Sequence, residues 1–277
     1  MKTLRKIIIL SFLVIAGLSG CKQKKTTEFR PDFKKYYDQY KVEGSFVLYD
    51  QNSDKYIFYN PFQFKEQFIP ASTFKICNSL IGLETGVIKD ENFMIPWDGV
   101  KRNPAWDKNH TLKTAFQSSG VWYYQELARR VGGQKMKLWL EKAKYGNADT
   151  SGGIDKFWLY GGLRITPEQQ IDFLKRLHGN NLPFSQRSMD VVKNIMIEKD
   201  TAGYVLRAKT GWGKMDGKDI GWYVGYIETA GNVYYFSNCV QTLSKNTDDE
   251  KGSDNFKRSR KEIVNHVLKE FGIIEVK

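Results

Sequence analysis

Ser72-Thr73-Phe74-Lys75 places a hydroxyl and an amine three residues apart. On a helix, residues i and i+3 share a face, so the amine can reach the hydroxyl. A serine needs a base to become a nucleophile, and a neutral lysine can serve as one. The run that follows is apolar on nearly every side of a helix read over Ser72–Glu84: Phe74, Ile76, Cys77, Leu80, Ile81 and Leu83. A helix of that pattern is buried. A lysine on it loses hydration, and its pKa should fall. Pro70-Ala71 suits a helix start, which puts Ser72 where backbone N–H groups can stabilise an oxyanion. Alone the spacing is weak, because about one S-x-x-K arises by chance in a chain this long. A second one, Ser19-Gly20-Cys21-Lys22, carries no chemistry. Lys209-Thr210-Gly211 supplies the missing company. A strand-borne lysine beside a threonine hydroxyl can hold a substrate carboxylate, and glycine lets the backbone approach a ligand closely.

These residues need a scaffold. Ser45–Tyr49 and Lys55–Tyr59 flank Asp50-Gln51-Asn52-Ser53-Asp54 and predict a hairpin. The middle of the chain is helical: after the serine helix come Trp122–Val131 and Gln134–Lys144. Thr166-Pro167-Glu168-Gln169 is a capping box with proline at the first helical position, opening a helix that runs to His178 and stops at Gly179. Ser185 caps another helix, read to about Glu198. The period then changes to strands at Tyr204–Lys209, Gly221–Glu228 and Val233–Val240, and Ser253-Asp254 caps a last amphipathic helix. A hairpin near the start must therefore meet three strands near the end. The expected fold is α+β: a sheet built from both termini, flanked by terminal helices, enclosing an inserted helical subdomain. Strand and helix do not alternate, which disfavours a doubly wound parallel sheet.

Composition narrows the function classes. The 277 residues carry 43 Lys and Arg against 31 Asp and Glu, a net charge of +12. The basic residues are interspersed with acids and form no long stripe, which argues against nucleic acid as a partner. Three Cys and three His without C-x-x-C, H-x-H or H-E-x-x-H spacing predict no metal site. His110, His178 and His266 are scattered and are assigned no catalytic role, and Trp106, Trp139 and Trp222 are read as core. Whether Cys77 and Cys239 pair depends on a distance the sequence does not give. Oligomeric state is not legible either.

The N-terminus reads as an address. Met1–Lys6 is basic, Ile7–Ala16 is almost continuously apolar and too short to span a bilayer, and Leu18-Ser19-Gly20-Cys21 follows. The pattern resembles a bacterial lipoprotein signal, in which cleavage after Gly20 leaves Cys21 lipidated. The expected domains are a signal over 1–20, a lipid-anchored linker over 21–30 and a folded domain over 31–277. The expected location is extracytoplasmic, with the lipid on Cys21 holding the chain to a bacterial membrane.

The two chemical elements, in this order and about 135 residues apart, resemble the penicillin-recognising serine hydrolases and acyl-transferases. Their neighbourhoods narrow the resemblance to class D β-lactamases (oxacillinases): Phe68-Ile69-Pro70-Ala71-Ser72-Thr73-Phe74-Lys75, Trp97-Asp98-Gly99, Leu112-Lys113-Thr114-Ala115-Phe116, Tyr145-Gly146-Asn147, Phe157-Trp158-Leu159 and Lys209-Thr210-Gly211-Trp212. It runs from about Glu43 to Ile274. Ser119-Gly120-Val121 fits the family's third element. Ser253-Asp254-Asn255 follows the Lys-Thr-Gly element, the wrong order for that role, and no Glu-x-x-Leu-Asn element of class A is present.

The resemblance implies a β-lactam as substrate and roles for individual residues. Ser72 attacks the lactam carbonyl. Lys75 is N-carboxylated by carbon dioxide or bicarbonate, with no other cofactor, and acts as general base. Ser119 relays a proton to the lactam nitrogen. Trp158 donates to the carbamate, and Val121 and Leu159 keep it dry. The backbone N–H groups of Ser72 and Trp212 form the oxyanion hole. Lys209, Thr210 and Arg260 bind the substrate carboxylate beside Gly211. Trp122 stands where the family usually has proline, which puts substrate preference in question. The alternative reading is a non-hydrolysing β-lactam sensor domain, although the membrane spans and protease region such sensors normally carry are not expected in this sequence.

Overall fold

Two stretches far apart in the chain close one sheet. The computed structural model describes residues 26–243 and 250–275. β1 (Thr26–Phe29) and α1 (Lys34–Tyr40) lead into the hairpin β2 (Val42–Asp50) and β3 (Lys55–Tyr59). The helical portion follows, with α2 (Lys75–Glu84), a two-stranded ribbon of β4 (Met94–Ile95) and β5 (His110–Thr111), α3 (Leu112–Ser118), α4 (Val121–Val131), α5 (Gly133–Ala143), α6 (Pro167–His178) and α7 (Gln186–Ile195). β6 (Ile197–Asp200), β7 (Tyr204–Met215), β8 (Lys218–Thr229), β9 (Val233–Thr242) and α8 (Glu250–Glu270) complete the fold. The strand order is β1-β3-β2-β9-β8-β7-β6. The joint between the ends of the chain is the antiparallel β2–β9 pair, in register from Val42 opposite Thr242 to Asp50 opposite Tyr234.

Each face of the sheet carries its own core, and strand alternation sorts residues between them. In β8, Tyr223 and Ile227 join Phe33, Tyr37, Phe46, Ile263 and Val267 under the terminal helices α1 and α8. Trp222, Val224 and Tyr226 face the other way, into the core that contains α2 and α6. A strand buried on both sides loses visible alternation, and β8 is buried from Ile220 through Ile227. α2 is buried along its length from Lys75 to Leu83, so it is the central helix that the all-round apolar pattern demands. The Thr166 box forms as read, with Gln169 N donating to Thr166 Oγ1 and Thr166 N to Gln169 Oε1, each at 3.0 Å.

Four boundaries differ from the sequence reading. Thr26–Phe29, placed in the linker over 21–30, is an edge strand paired in parallel with Lys55–Phe58, so the sheet is not wholly antiparallel. Two threonines and a phenylalanine carry strand preference that the flanking lysines obscured. The helix capped by Ser185 stops at Ile195 instead of running to about Glu198, and Ile197–Asp200 becomes edge strand β6. α8 begins at Glu250, so Ser253 lies inside its first turn and not at its cap position. The serine helix opens with a 3-10 turn, Ala71–Phe74, before α2 proper. Cys77 and Cys239 are both buried and free. Met1–Lys25, including Cys21 and the 1–20 signal, lies outside the described residues.

Leu80 on α2 is fully buried among these helices. Leu80→Ala should lower the free energy of unfolding by about 2–5 kcal/mol in urea titrations, and a loss below about 1 kcal/mol would show that α2 is not core.

Candidate active site

The turn that carries Ser72 is clamped from three sides. Phe68 exchanges backbone hydrogen bonds with Ile165 (3.0 and 2.9 Å), Trp222 Nε1 donates to Ile69 O at 2.9 Å, and Ala71 N donates to Trp158 O at 3.1 Å. Thr73 Oγ1 donates to Pro70 O at 2.8 Å and accepts from Gln170 Nε2 on α6 at 2.9 Å. These contacts hold Ala71 in the left-handed region at φ 47°. That conformation is costly for a residue with a Cβ and persists where surroundings over-determine it. Ser119 is also left-handed, at φ 59°, as the residue that ends α3.

Within this frame Lys75 Nζ donates to Ser72 Oγ at 2.7 Å. Lys75 is wholly buried. Burial first, and then the charge of Lys209, pushes its pKa well below the usual lysine value. The amine is thereby pushed toward the neutral form, whose lone pair can take the hydroxyl proton across that contact. Lys209 Nζ donates to Ser119 Oγ at 3.0 Å, so two Lys–Ser pairs face one cleft. Burial, with the nearby charges of Arg260 and Lys261, brings Lys209 down from 10.5 to about 7.

β7 packs directly on the Ser72 turn because Gly211 has no side chain. A Cβ there would stand 3.0 Å from Pro70 O and 3.2 Å from Thr73 Cγ2. The close approach brings the Gly211–Trp212 backbone beside Ser72. Arg260, reached from α8, donates through Nη1 to Gly211 O at 3.0 Å and lies 5.4 Å from the centre of the Trp212 ring. Burial lowers its pKa to about 10. A cleft of about 700 Å³ is lined by Ser72, Ser119, Val121, Leu159, Thr210, Gly211, Trp212 and Arg260. The structure therefore gathers these eight, with Lys75 and Lys209 directly behind Ser72 and Ser119. Trp158 sits in the wall, its ring 5.3 Å from that of Phe74, and its Nε1 is buried without a hydrogen-bond partner among the described residues.

Three contributions were missed or misread. Trp106, read as core, is half-buried and lines the cleft, with Nε1 donating to Ser118 O at 3.0 Å. Tyr160, 78% exposed, also lines it, and nothing in its spacing marked it. Trp122 does not border the cleft; it is buried and donates to Trp106 O at 2.7 Å, bracing Trp106 from behind. Trp222 is core as read, whereas Trp139 is half-buried and stacks on Phe184. Tyr145-Gly146-Asn147 is structural: Tyr145 packs on Phe74, and Asn147 bonds both Gly162 O and Arg164 N.

Comparison with known proteins agrees with this geometry. The family model for the penicillin binding protein transpeptidase domain matches residues 30–269. The probable β-lactamase YbxI of Bacillus subtilis is 37% identical over 272 residues, covering 97% of each chain. The crystal structure of a class D β-lactamase from Sebaldella termitidis superposes with a TM-score of 0.84 at 38% identity, covering 90% of this chain and 99% of that one. The chain belongs to the class D β-lactamase family. The regulatory protein BlaR1 of Bacillus licheniformis is also similar, at 34% identity over 240 residues, but the match spans 82% of this chain and only 40% of that protein.

The two depressed lysines couple stability to pH. In the unfolded chain they hold their protons up to about pH 10.5, while the folded chain releases that of Lys209 near 7. The unfolded state thus binds more protons between about pH 7 and 10, and their contribution to stability rises with pH across that window. Lys209→Met should flatten the rise in urea midpoint between about pH 7 and 9.5 relative to the parent; identical slopes would mean that Lys209 titrates normally.

Proposed function

We propose that this family member is a serine β-lactamase that hydrolyses penicillins of the oxacillin type through an acyl-enzyme on Ser72. The observation that carries the reading is the 2.7 Å contact between Ser72 Oγ and the wholly buried amine of Lys75. Ser72 Oγ attacks the lactam carbonyl carbon while its proton passes to the Lys75 side chain. The N–H groups of Ser72 and Trp212 face the oxygen that gains charge. The C–N bond then breaks, and Ser119 Oγ delivers a proton to the departing nitrogen, replenished through Lys209. Lys209, Thr210 and Arg260 hold the substrate carboxylate, and the ester on Ser72 is then cleaved by water.

Two features of the chain fit a carboxyl group on Lys75. The amine is biased toward the neutral form that reacts with carbon dioxide, and Trp158 Nε1 is a buried donor with nothing to bond. A buried donor without a partner is costly, so an acceptor in this wall would relieve it. The group, once formed, would supply an oxygen base for both acylation and hydrolysis. Val121 and Leu159 would shield it from water.

We also propose that Cys21 carries the lipid and holds the enzyme on the outer side of a bacterial membrane. The support is the sequence itself: a basic start, an apolar run and then Leu18-Ser19-Gly20-Cys21. Among the described residues no helix is long and apolar enough to cross a membrane. Cys21→Ser should abolish incorporation of labelled palmitate and release the protein from the membrane fraction; an unchanged distribution would refute the anchor.

The catalytic test uses a chromogenic cephalosporin in bicarbonate. The parent should turn over many equivalents, and a burst of one equivalent that then stops would indicate a sensor instead. Lys75→Ala should abolish acylation. Trp158→Ala should still acylate but slow deacylation by about 10²–10⁴-fold, the range for losing a general base. Turnover by Trp158→Ala at the parent rate would exclude the carboxylated lysine.

A further inference from the structure

A second cavity, of about 310 Å³, opens beside the catalytic cleft. Both are lined by Thr210, and Lys209 joins them: it lines the second cavity while its Nζ donates to Ser119 Oγ and, at 3.2 Å, to Thr210 O. The cavity lies where the edge of β7 becomes free. β6 covers that edge only as far as Arg207, opposite Ile197, and Ala208 N still bonds Met196 O at 3.0 Å. From Lys209 onward no strand among the described residues pairs with it. A substrate lying along that open edge therefore meets this cavity at its Lys209 end.

The direction of the chemistry says which part of the substrate arrives there. In the reaction proposed above, on which this inference rests, the bond between carbonyl carbon and lactam nitrogen breaks between Ser72 and Ser119. The acyl side chain belongs to the carbonyl side. The nitrogen, the ring carbons attached to it and the carboxylate belong to the side of Ser119, Lys209 and Thr210. Two of those three residues, Lys209 and Thr210, also line the second cavity. Its walls are apolar at Phe116, Ile195 and Ile197, which suits the faces of a flat ring. Gln117 and Lys261 bring donors, and Lys261 is paired at 2.6 Å with Glu198.

We propose that this cavity is a leaving-side subsite: it takes the heterocyclic, acceptor-bearing substituent that a cephalosporin carries on the ring carbon next to its carboxyl-bearing carbon. A penicillin has only short methyl groups in that region and does not reach it. The site therefore sorts cephalosporins by their leaving-side substituent, independently of the acyl side chain held in the cleft.

The test measures second-order acylation rates by mass spectrometry, so it does not depend on turnover. Three substrates share one acyl side chain: a penicillin, a cephalosporin with a methyl group at the position in question, and one with a tetrazolylthiomethyl group there. Gln117→Trp narrows the cavity from the exposed end of α3. It should reduce acylation by the tetrazole compound about tenfold relative to the methyl compound, and leave the penicillin rate unchanged. If Gln117→Trp also impairs penicillin acylation, Ile197→Phe, which narrows the same space from β6, is read in its place. A tetrazole-to-methyl ratio equal to that of the parent in the variant read, with all three compounds still acylating, overturns the subsite alone. No acylation of the parent by any of the three overturns both the subsite and the β-lactam reading.

Discussion

An amine sealed from water with a single hydroxyl as its hydrogen-bond partner is a demanding thing for a protein to build. Removing a lysine ammonium from water costs several kcal/mol unless it is paired, so the group yields its proton instead. That outcome requires a dry, crowded neighbourhood, and the architecture supplies one. α2 runs through the middle of the helical portion, and Lys75 sits at its start, beneath the sheet and beside Tyr124, whose ring centre is 5.2 Å from Nζ. Ser79, one turn on, donates to Lys75 O at 2.7 Å and meets the Tyr124 hydroxyl, so these two hydroxyls satisfy each other and leave the amine to Ser72. The same isolation makes Lys75 suitable as a base and unsuitable as a structural cation.

Precision at Ser72 is obtained by over-constraint. Ala71 in the left-handed region is not a choice its own backbone would make. It is imposed by contacts from the Trp158 loop, from Trp222 on β8, from Ile165 and from Gln170 on α6. Three come from one stretch, Trp158 to Gln170, and the fourth from β8, and several serve two ends. α6, started by the Thr166 box, both packs against the sheet and carries Gln170 to Thr73. Trp222 fills the core with its ring and holds Ile69 with its nitrogen.

Much of this was legible in the sequence because it rests on local rules. The Ser72–Lys75 spacing, the Thr166 box, the hairpin around Gln51–Asp54 and the Lys209-Thr210-Gly211 strand all follow from neighbours within a few residues. Arg260 was placed by resemblance alone, counting along a helix, and the structure puts it on Gly211 O. What escaped depends on partners far away in the chain. β1 and β6 are short edge strands with charged neighbours, and only the strand beside each defines it. Trp106 looked like one more core tryptophan, since nothing local shows that Trp122, sixteen residues later, would brace it into the cleft. The unpartnered Trp158 nitrogen is likewise visible only once the wall around it is assembled.

The β2–β9 joint has a consequence for how the protein comes into being. Val42 and Thr242 are about 200 residues apart, and contacts of such separation form slowly because the intervening chain must lose its freedom first. Until β9 exists, β2 and β3 have no sheet to join, and α2 has no floor on which to bury Lys75. Ser72 is made early in synthesis, whereas β7, β8 and α8, which complete the cleft around it, are made last. A nascent or truncated chain would thus carry Ser72 with an ordinary hydrated lysine beside it. The dry pairing of Ser72 with Lys75 arrives together with the final strands and is confined to the finished molecule.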